Sequence, residues 1–100
     1  KDGDNVRVAG MVVVRQKPPT AKGHVFITLE DEDGLVNLIV RPNVYARYRE
    51  AVRNSLLLWA EGRLQRQGAA ASVLVTRAVD LKEAGNGQTK RHWPDPHAWR

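Results

Sequence analysis

Two runs of alternating apolar and polar residues, 24–30 and 35–41, constrain the fold of this 100-residue chain more than any other feature. Alternation with a period of two is typical of strands that bury one face. The apolar residues on the predicted inner face are Val25, Ile27, Leu29, Val36, Leu38 and Val40. The segment between the runs ends in Asp33-Gly34, a pair that favours tight hairpin turns. The pattern therefore predicts an antiparallel hairpin.

Three more strands and one helix are predicted around this hairpin. The first strand is rich in β-branched residues and contains Gly10, where it can bend or bulge. A proline-rich loop at 18–23 ends it, and a turn at 65–68 separates the last two strands. Apolar residues at helical spacing follow the hairpin. The predicted strands are 5–17, 24–30, 35–41, 56–64 and 71–79, and the predicted helix is 42–54.

This element order is that of the OB-fold, whose helix lies between the third and fourth strands of a five-stranded barrel. An SH3-like barrel would lack the helix. We therefore predict an all-β fold with one short helix, an OB domain at 1–81 and a flexible polar tail or linker at 82–100. The predicted core comprises Val8, Val12, Val25, Ile27, Leu29, Val36, Leu38, Val40, Val52, Leu58 and Val75.

Composition narrows the class of partner and the location. The net charge is +5, and residues 51–100 carry 8 basic against 4 acidic groups, which favours a polyanionic partner.

The chain has no cysteine, so it has no disulfide or thiolate metal site, and we expect a cytoplasmic location. No apolar run approaches the ~20 residues that span a bilayer, so no membrane partner is expected. Because the chain starts at Lys1 without a signal-like segment, we expect it to be part of a longer protein.

A single-strand-binding site is predicted on the outer face of strands two and three, where OB domains usually bind. Single strands are held by aromatic side chains that stack on bases and by cations near the phosphates. Phe26 is the predicted stacking residue, while Asn37 and Arg41 offer an amide and a guanidinium. Basic residues on the two adjoining loops would contact phosphates. The predicted nucleic-acid-binding residues are Arg15, Lys17, Lys22, His24, Phe26, Thr28, Asn37, Ile39, Arg41, Arg63 and Arg66.

The predicted helix contributes solvent-facing and packing residues rather than ligands. We interpret Arg47, Arg49 and Arg53 as a solvated face that lies away from the binding groove, and Tyr45 and Tyr48 as packing residues.

No catalytic or metal-binding constellation is found in the sequence. His24, His92 and His97 lack metal-ligand spacing, and Ser55 and Ser72 lack the context of a nucleophile. We therefore predict no catalytic residue, no metal and no cofactor in this domain.

Residues 6–34 closely resemble the OB segment of bacterial DNA polymerase III alpha subunits, most clearly in Arg15-Gln16, the Thr-Ala-Lys-Gly run at 20–23, Phe26 and the Thr-Leu-Glu-Asp run at 28–31. Later segments, including 61–66, are most similar to the error-prone, damage-inducible branch. The resemblance implies a parent DNA-directed DNA polymerase, a nucleotidyltransferase of DNA replication, translesion synthesis and repair. It implies that this non-catalytic module holds single-stranded template DNA near the active site. The implied partners are single-stranded DNA, other domains of the parent polymerase and accessory repair proteins.

Two alternatives remain open. Phe26, Leu35 and Ile39 would form an apolar patch if the domain docks proteins rather than nucleic acid. An anticodon-binding OB domain would instead prefer RNA.

Overall fold

Five strands close into a barrel in the computed structural model, which describes residues 3–68 and 70–82. The strands are β1 (Asn5–Gln16), β2 (Val25–Asp31), β3 (Gly34–Val40), β4 (Leu57–Gln67) and β5 (Ala70–Asp80). Their order around the barrel is β1-β2-β3-β5-β4, and only the β3–β5 pairing is parallel. The barrel confirms the predicted OB fold class. Apart from Lys82, the predicted tail at 82–100 lies outside the described residues.

The segment between β3 and β4 forms two short helices, α1 (Pro42–Arg47) and α2 (Arg49–Asn54), where the sequence predicted one. The break is at Tyr48, whose backbone angles of φ −117° and ψ 32° leave the helical region. Backbone bonding nevertheless continues through this residue, because its N–H donates to Val44 and its carbonyl accepts from Val52. Val44 and Val52 are both buried in the core, so the two helices jointly cover it.

The register of β1 shifts at Val13, so the bulge that the sequence allowed at Gly10 lies three residues further along the strand. Val12 lies opposite Leu29 and Val14 lies opposite Thr28, so Val13 is the extra residue of a bulge. Gly10 has a different role. A Cβ at this position would lie 2.5 Å from the Glu30 carbonyl oxygen, so only glycine allows β1 to cross so close to β2.

The barrel core consists mainly of aliphatic residues from all five strands and both helices. Eight of the eleven predicted core residues are buried, and Val8, Val12 and Val36 are half-buried against the same cluster. Six buried apolar residues were not predicted: Ala9, Val44, Ala60, Val73, Ala78 and Leu81. Small alanines give a weak sequence signal, and they are buried here because neighbouring strands approach closely.

The β4–β5 hairpin is tighter than predicted. Gln65 pairs with Ser72 and Gln67 pairs with Ala70, so the strands extend almost to the turn at Gly68. Residues 65–67, whose polarity predicted a turn, are therefore part of β4. No helix in the described ranges is long and apolar enough to cross a membrane.

Candidate nucleic-acid interface

A row of outward side chains crosses four strands of the barrel. Phe26 on β2 lies opposite Ile39 on β3, Ile39 lies beside Leu74 on β5, and Leu74 lies opposite Arg63 on β4. Directly opposed residues of neighbouring strands share one face of a sheet. Phe26 is 36% exposed, so part of its side chain is accessible to solvent. The row therefore combines an accessible aromatic ring, two aliphatic side chains and an exposed cation.

A second row runs parallel to the first and is more polar. Thr28 lies opposite Asn37, and its hydroxyl donates a 3.3 Å hydrogen bond to the Asn37 side-chain oxygen. This bond orients the amide of Asn37. Its NH₂ group has no partner among residues 3–68 and 70–82. The amide nitrogen is thus a donor available to a base edge or a phosphate.

The loop between β1 and β2 closes one side of this face. It contains a short 3₁₀ helix, Pro19–Ala21, followed by Lys22 in the left-handed region at φ 55°. His24 Nδ1 lies 2.8 Å from the Ala21 carbonyl oxygen. Since a carbonyl only accepts, Nδ1 is the donor of this hydrogen bond. Lys22 is exposed, and no described carboxylate pairs with it.

Arg41 lies where β3 passes into α1, beside the same loop. Its Nε is buried and has no hydrogen-bond partner in the described part of the chain. A buried donor without an acceptor destabilises a fold by roughly 1–3 kcal/mol. The buried Nε therefore lacks an acceptor in the described part of the chain, and a ligand is one group that would supply it.

Arg63 and Arg66 lie on β4 towards its hairpin turn. Arg63 extends the Phe26 row, and Arg66 pairs with Ala71 close to the turn at Gly68. Both side chains are exposed. Arg63 borders the outer face on the side away from the β1–β2 loop, whereas Arg66, opposite Ala71 and in step with the buried Val73 and Val75, lies on the other side of the sheet.

Two further predicted cations, Arg15 and Lys17, also lie away from this face. Arg15 is opposite Ile27, whose side chain is 1% exposed. The Arg15 side chain therefore lies on the inner side of the sheet, at the end of the barrel. Its Nη2 donates a 2.6 Å hydrogen bond to the carbonyl oxygen of Ser55. Lys17 Nζ lies 4.7 Å from the centre of the Tyr45 ring. The bulge at Val13 explains the positions of Arg15 and Lys17. Each β1 side chain after the bulge lies on the face opposite to the one that simple alternation predicts.

The sequence analysis missed Leu74, whose place in the Phe26 row depends on the parallel β3–β5 pairing. That pairing joins segments that are distant in sequence, and no local pattern indicates it. No group of three or more histidine, aspartate or glutamate side chains suited to a metal ion occurs in the described ranges.

A second surface is strongly apolar and is formed by β1 and the start of β4. Its exposed side chains are Met11, Val13, Val14, Leu56 and Leu57. Met11 lies opposite Leu57, and the Val12 N–H donates to the Leu56 carbonyl, so the two segments form one continuous surface. Met11 is 53% and Leu56 66% exposed.

The closed barrel, its helical connection after β3 and its ligand-accessible β2–β3 face define an OB domain. The chain belongs to the tRNA anti-codon family, described as an OB-fold nucleic acid binding domain, whose profile matches residues 6–81.

Relatives and solved structures agree with this assignment. The chain is 50% identical over 76 residues to an error-prone DNA polymerase of Anaeromyxobacter dehalogenans, covering 76% of this chain and 7% of the relative. It is 56% identical over 63 residues to an error-prone DNA polymerase of Rhodopseudomonas palustris, covering 63% of this chain and 6% of the relative. The resemblance to error-prone polymerases is thereby confirmed, and the chain spans less than a tenth of these relatives.

Among solved structures, asparaginyl-tRNA synthetase from Pyrococcus horikoshii matches with a TM-score of 0.61 and 26% identity. The match covers 78% of this chain and 20% of the synthetase.

Proposed function

We propose that this domain binds single-stranded DNA on its outer β2–β3 face and holds template for an error-prone DNA polymerase of which it is a part. The observation that carries the proposal is the Phe26 row, in which an accessible aromatic ring is flanked by Ile39 and ends at Arg63. A base stacked on Phe26 would lie between the β1–β2 loop and the β4–β5 turn. Stacking tolerates every base, so little sequence preference is expected.

Polar groups around Phe26 are suited to contact the base edge and the phosphate of a nucleotide whose base stacks on the ring. The oriented amide of Asn37 offers donors to a base edge, and the unpartnered Nε of Arg41 offers a buried donor. Lys22 on one side and Arg63 on the other are exposed cations suited to phosphates. This arrangement fits a strand that crosses β2 and β3 with its backbone along the basic edges.

The relatives support the wider role. They are named error-prone DNA polymerases, so we infer that the domain serves translesion synthesis and DNA repair in the cytoplasm. Catalysis would belong to other domains of that longer chain, and accessory repair proteins would be further partners.

The proposal is tested by fluorescence anisotropy with a labelled single-stranded DNA oligonucleotide and the 100-residue chain, at several salt concentrations. Unlabelled single-stranded DNA, duplex DNA and RNA serve as competitors. We expect single-stranded DNA to compete best and log affinity to fall linearly with log salt concentration. Preference for RNA would favour an anticodon-type function instead. Absence of binding at low salt would contradict nucleic-acid binding.

The apolar β1–β4 surface favours a second, compatible function, docking against the remainder of the polymerase chain. The relatives are more than ten times longer than the matched segment, so ample chain exists to cover Met11, Leu56 and Leu57. Met11 and Leu56 are more than half exposed, and contiguous apolar surface of this kind usually marks an interface.

Docking is tested by hydrogen exchange in the full-length polymerase. Leu56→Glu should increase exchange in the contacting domain while leaving the barrel of the isolated domain protected. Lys82→Glu, a change at an exposed position after β5, is the control. Unchanged exchange in full-length Leu56→Glu would contradict docking on this surface.

A further inference from the structure

A separate pocket of about 420 Å³ opens at the end of the barrel, between the end of β1 and the two helices. Val25 and Val52, both buried, form its apolar floor, and Tyr45 forms part of its wall. Arg15, Lys17 and Arg53 supply the charged lining. Arg15 and Lys17 are neighbours at the end of β1, and the folded barrel brings the distant Arg53 of α2 to them.

Two of the three cations are held in position by contacts within the protein. Arg15 Nη2 donates to the Ser55 carbonyl at 2.6 Å, at the C-terminal end of α2. Lys17 Nζ lies 4.7 Å above the Tyr45 ring, a cation–π contact that limits the freedom of its long side chain. Arg53 is in the last turn of α2, close to Ser55. The pocket therefore presents positive charge in a partly ordered arrangement before any ligand binds.

The described part of the chain supplies no counter-charge to this pocket. No aspartate or glutamate lines it, and none of its three cations forms an ion pair with a residue of 3–68 or 70–82. Partial burial lowers the pKa of Arg15, as expected for a cation that loses solvent without gaining an anion. The other side of the barrel differs, since Glu61 lies between Arg7 and Arg77 there.

We propose that this pocket binds a phosphomonoester group, either the terminal phosphate of a nucleic-acid strand or a free phosphate compound. A phosphomonoester carries a charge of about −1.5 to −2 at neutral pH, which suits three cations better than the single charge of a phosphodiester. Guanidinium groups bind its oxygens through paired N–H donors. The inference does not require that the outer face bind DNA.

The pocket also adjoins the outer face. Gln16 lines the pocket and lies opposite Phe26 across the β1–β2 ladder. A strand that crossed Phe26 towards this edge would bring its end to the pocket. A terminal phosphate and the stacked bases would then be bound by two adjoining but chemically different sites.

The first test is an NMR titration of the isotope-labelled chain with inorganic phosphate, compared with chloride at equal ionic strength. We expect phosphate-specific shifts at the amides of the pocket. Arg53→Gln should bind phosphate about fivefold more weakly, because it loses one partly exposed ion pair with the phosphate. Arg49→Gln removes the same charge from the same helix outside the pocket and should bind like the wild type. Shifts no larger than those with chloride, or equal weakening by both variants, would overturn the proposal.

The second test distinguishes the two sources of the phosphate. Affinity is compared for oligonucleotides with a 5′-phosphate, a 3′-phosphate or hydroxyl groups at both ends. If one terminal phosphate strengthens binding and Arg53→Gln removes that gain, the pocket takes a strand end. If free phosphate binds but neither terminal phosphate helps, the ligand is a small phosphate compound. An oligonucleotide with hydroxyl groups at both ends tests only the outer face. If it does not bind, the proposed DNA-binding function is contradicted, while the phosphate titration still tests the pocket.

Discussion

Phe26 on β2 lies directly opposite Ile39 on β3, and both side chains point away from the barrel core. The two positions place a partly exposed aromatic ring beside a β-branched side chain on the outer face of the sheet. This geometry is suited to stacking with a nucleotide base.

Phe26→Ala should therefore weaken single-stranded DNA binding by about 1–3 kcal/mol, because the stacking surface is removed. Anisotropy titration measures the loss, and Leu56→Ala is the control, since Leu56 is 66% exposed and lies on the β1–β4 surface away from the Phe26 row. Thermal unfolding should show that both variants fold. Unchanged affinity of folded Phe26→Ala would exclude base stacking at this residue.

Lys22→Asn should reduce the salt dependence of binding rather than abolish binding. Asparagine tolerates the left-handed backbone at φ 55°, so the substitution removes the charge with little strain. Loss of one phosphate contact lowers the slope of log affinity against log salt by about 1. Arg47→Gln, on the helix surface, is the matched control. Equal slopes for Lys22→Asn and the wild type would mean that no phosphate is bound there.

Arg15→Met should destabilise the fold by about 1–3 kcal/mol, because it leaves the carbonyl of the fully buried Ser55 without its donor. Methionine keeps the length of the side chain, so packing is largely retained. Denaturant unfolding measures the change. Arg49→Gln, an exposed arginine of α2, should stay within about 0.5 kcal/mol of the wild type. Equal stability of Arg15→Met and Arg49→Gln would show that the hydrogen bond contributes nothing.

Gly62→Ala should be the most disruptive of these substitutions. Its Cβ would lie 2.1 Å from the Leu74 carbonyl oxygen and 2.8 Å from Val75 Cα, so strands must separate at a cost of about 3 kcal/mol or more. Gly68→Ala has no such contact, and its cost of about 1–2 kcal/mol comes from the left-handed backbone at φ 61°. Unfolding free energies that rank the two variants in the opposite order would contradict this close approach.

Acid stability should depend on Glu61. A 2.7 Å hydrogen bond from Asn5, with the nearby charges of Arg7 and Arg77, lowers the pKa of Glu61 below its ordinary 4.5, although desolvation acts in the opposite direction. A carboxyl with a lowered pKa in the folded state stabilises the fold above its ordinary pKa. That contribution is lost as the pH falls through the lowered value.

The free energy of unfolding should therefore fall less steeply below pH 4.5 for Glu61→Gln than for the wild type. Asn5→Ala removes the largest cause of the shift and should give an intermediate slope. Denaturant unfolding at a series of acidic pH values measures all three proteins. Parallel curves for the wild type and Glu61→Gln would rule out a role for this carboxyl in acid unfolding.

Local patterns in the sequence were sufficient for the fold class, the β2–β3 hairpin and most of the core. The sequence alone was sufficient to recognise the alternation from Val25 to Leu29 and the Asp33-Gly34 turn, because both depend only on residues close together in the chain. The outward position of Phe26 follows from the same alternation, and the structure confirms that position.

Tertiary structure decided how the cations are distributed. Simple alternation would put Arg15 on the outer face with Phe26, but the bulge at Val13 turns it towards Ser55, forty positions away in sequence. The same folding brings Arg53 to Arg15 and Leu74 to Ile39. A bulge or a parallel pairing is selected by competition among backbone hydrogen bonds across the whole barrel. Local sequence therefore determined which residues form the strands, while closure of the barrel determined which side chains meet.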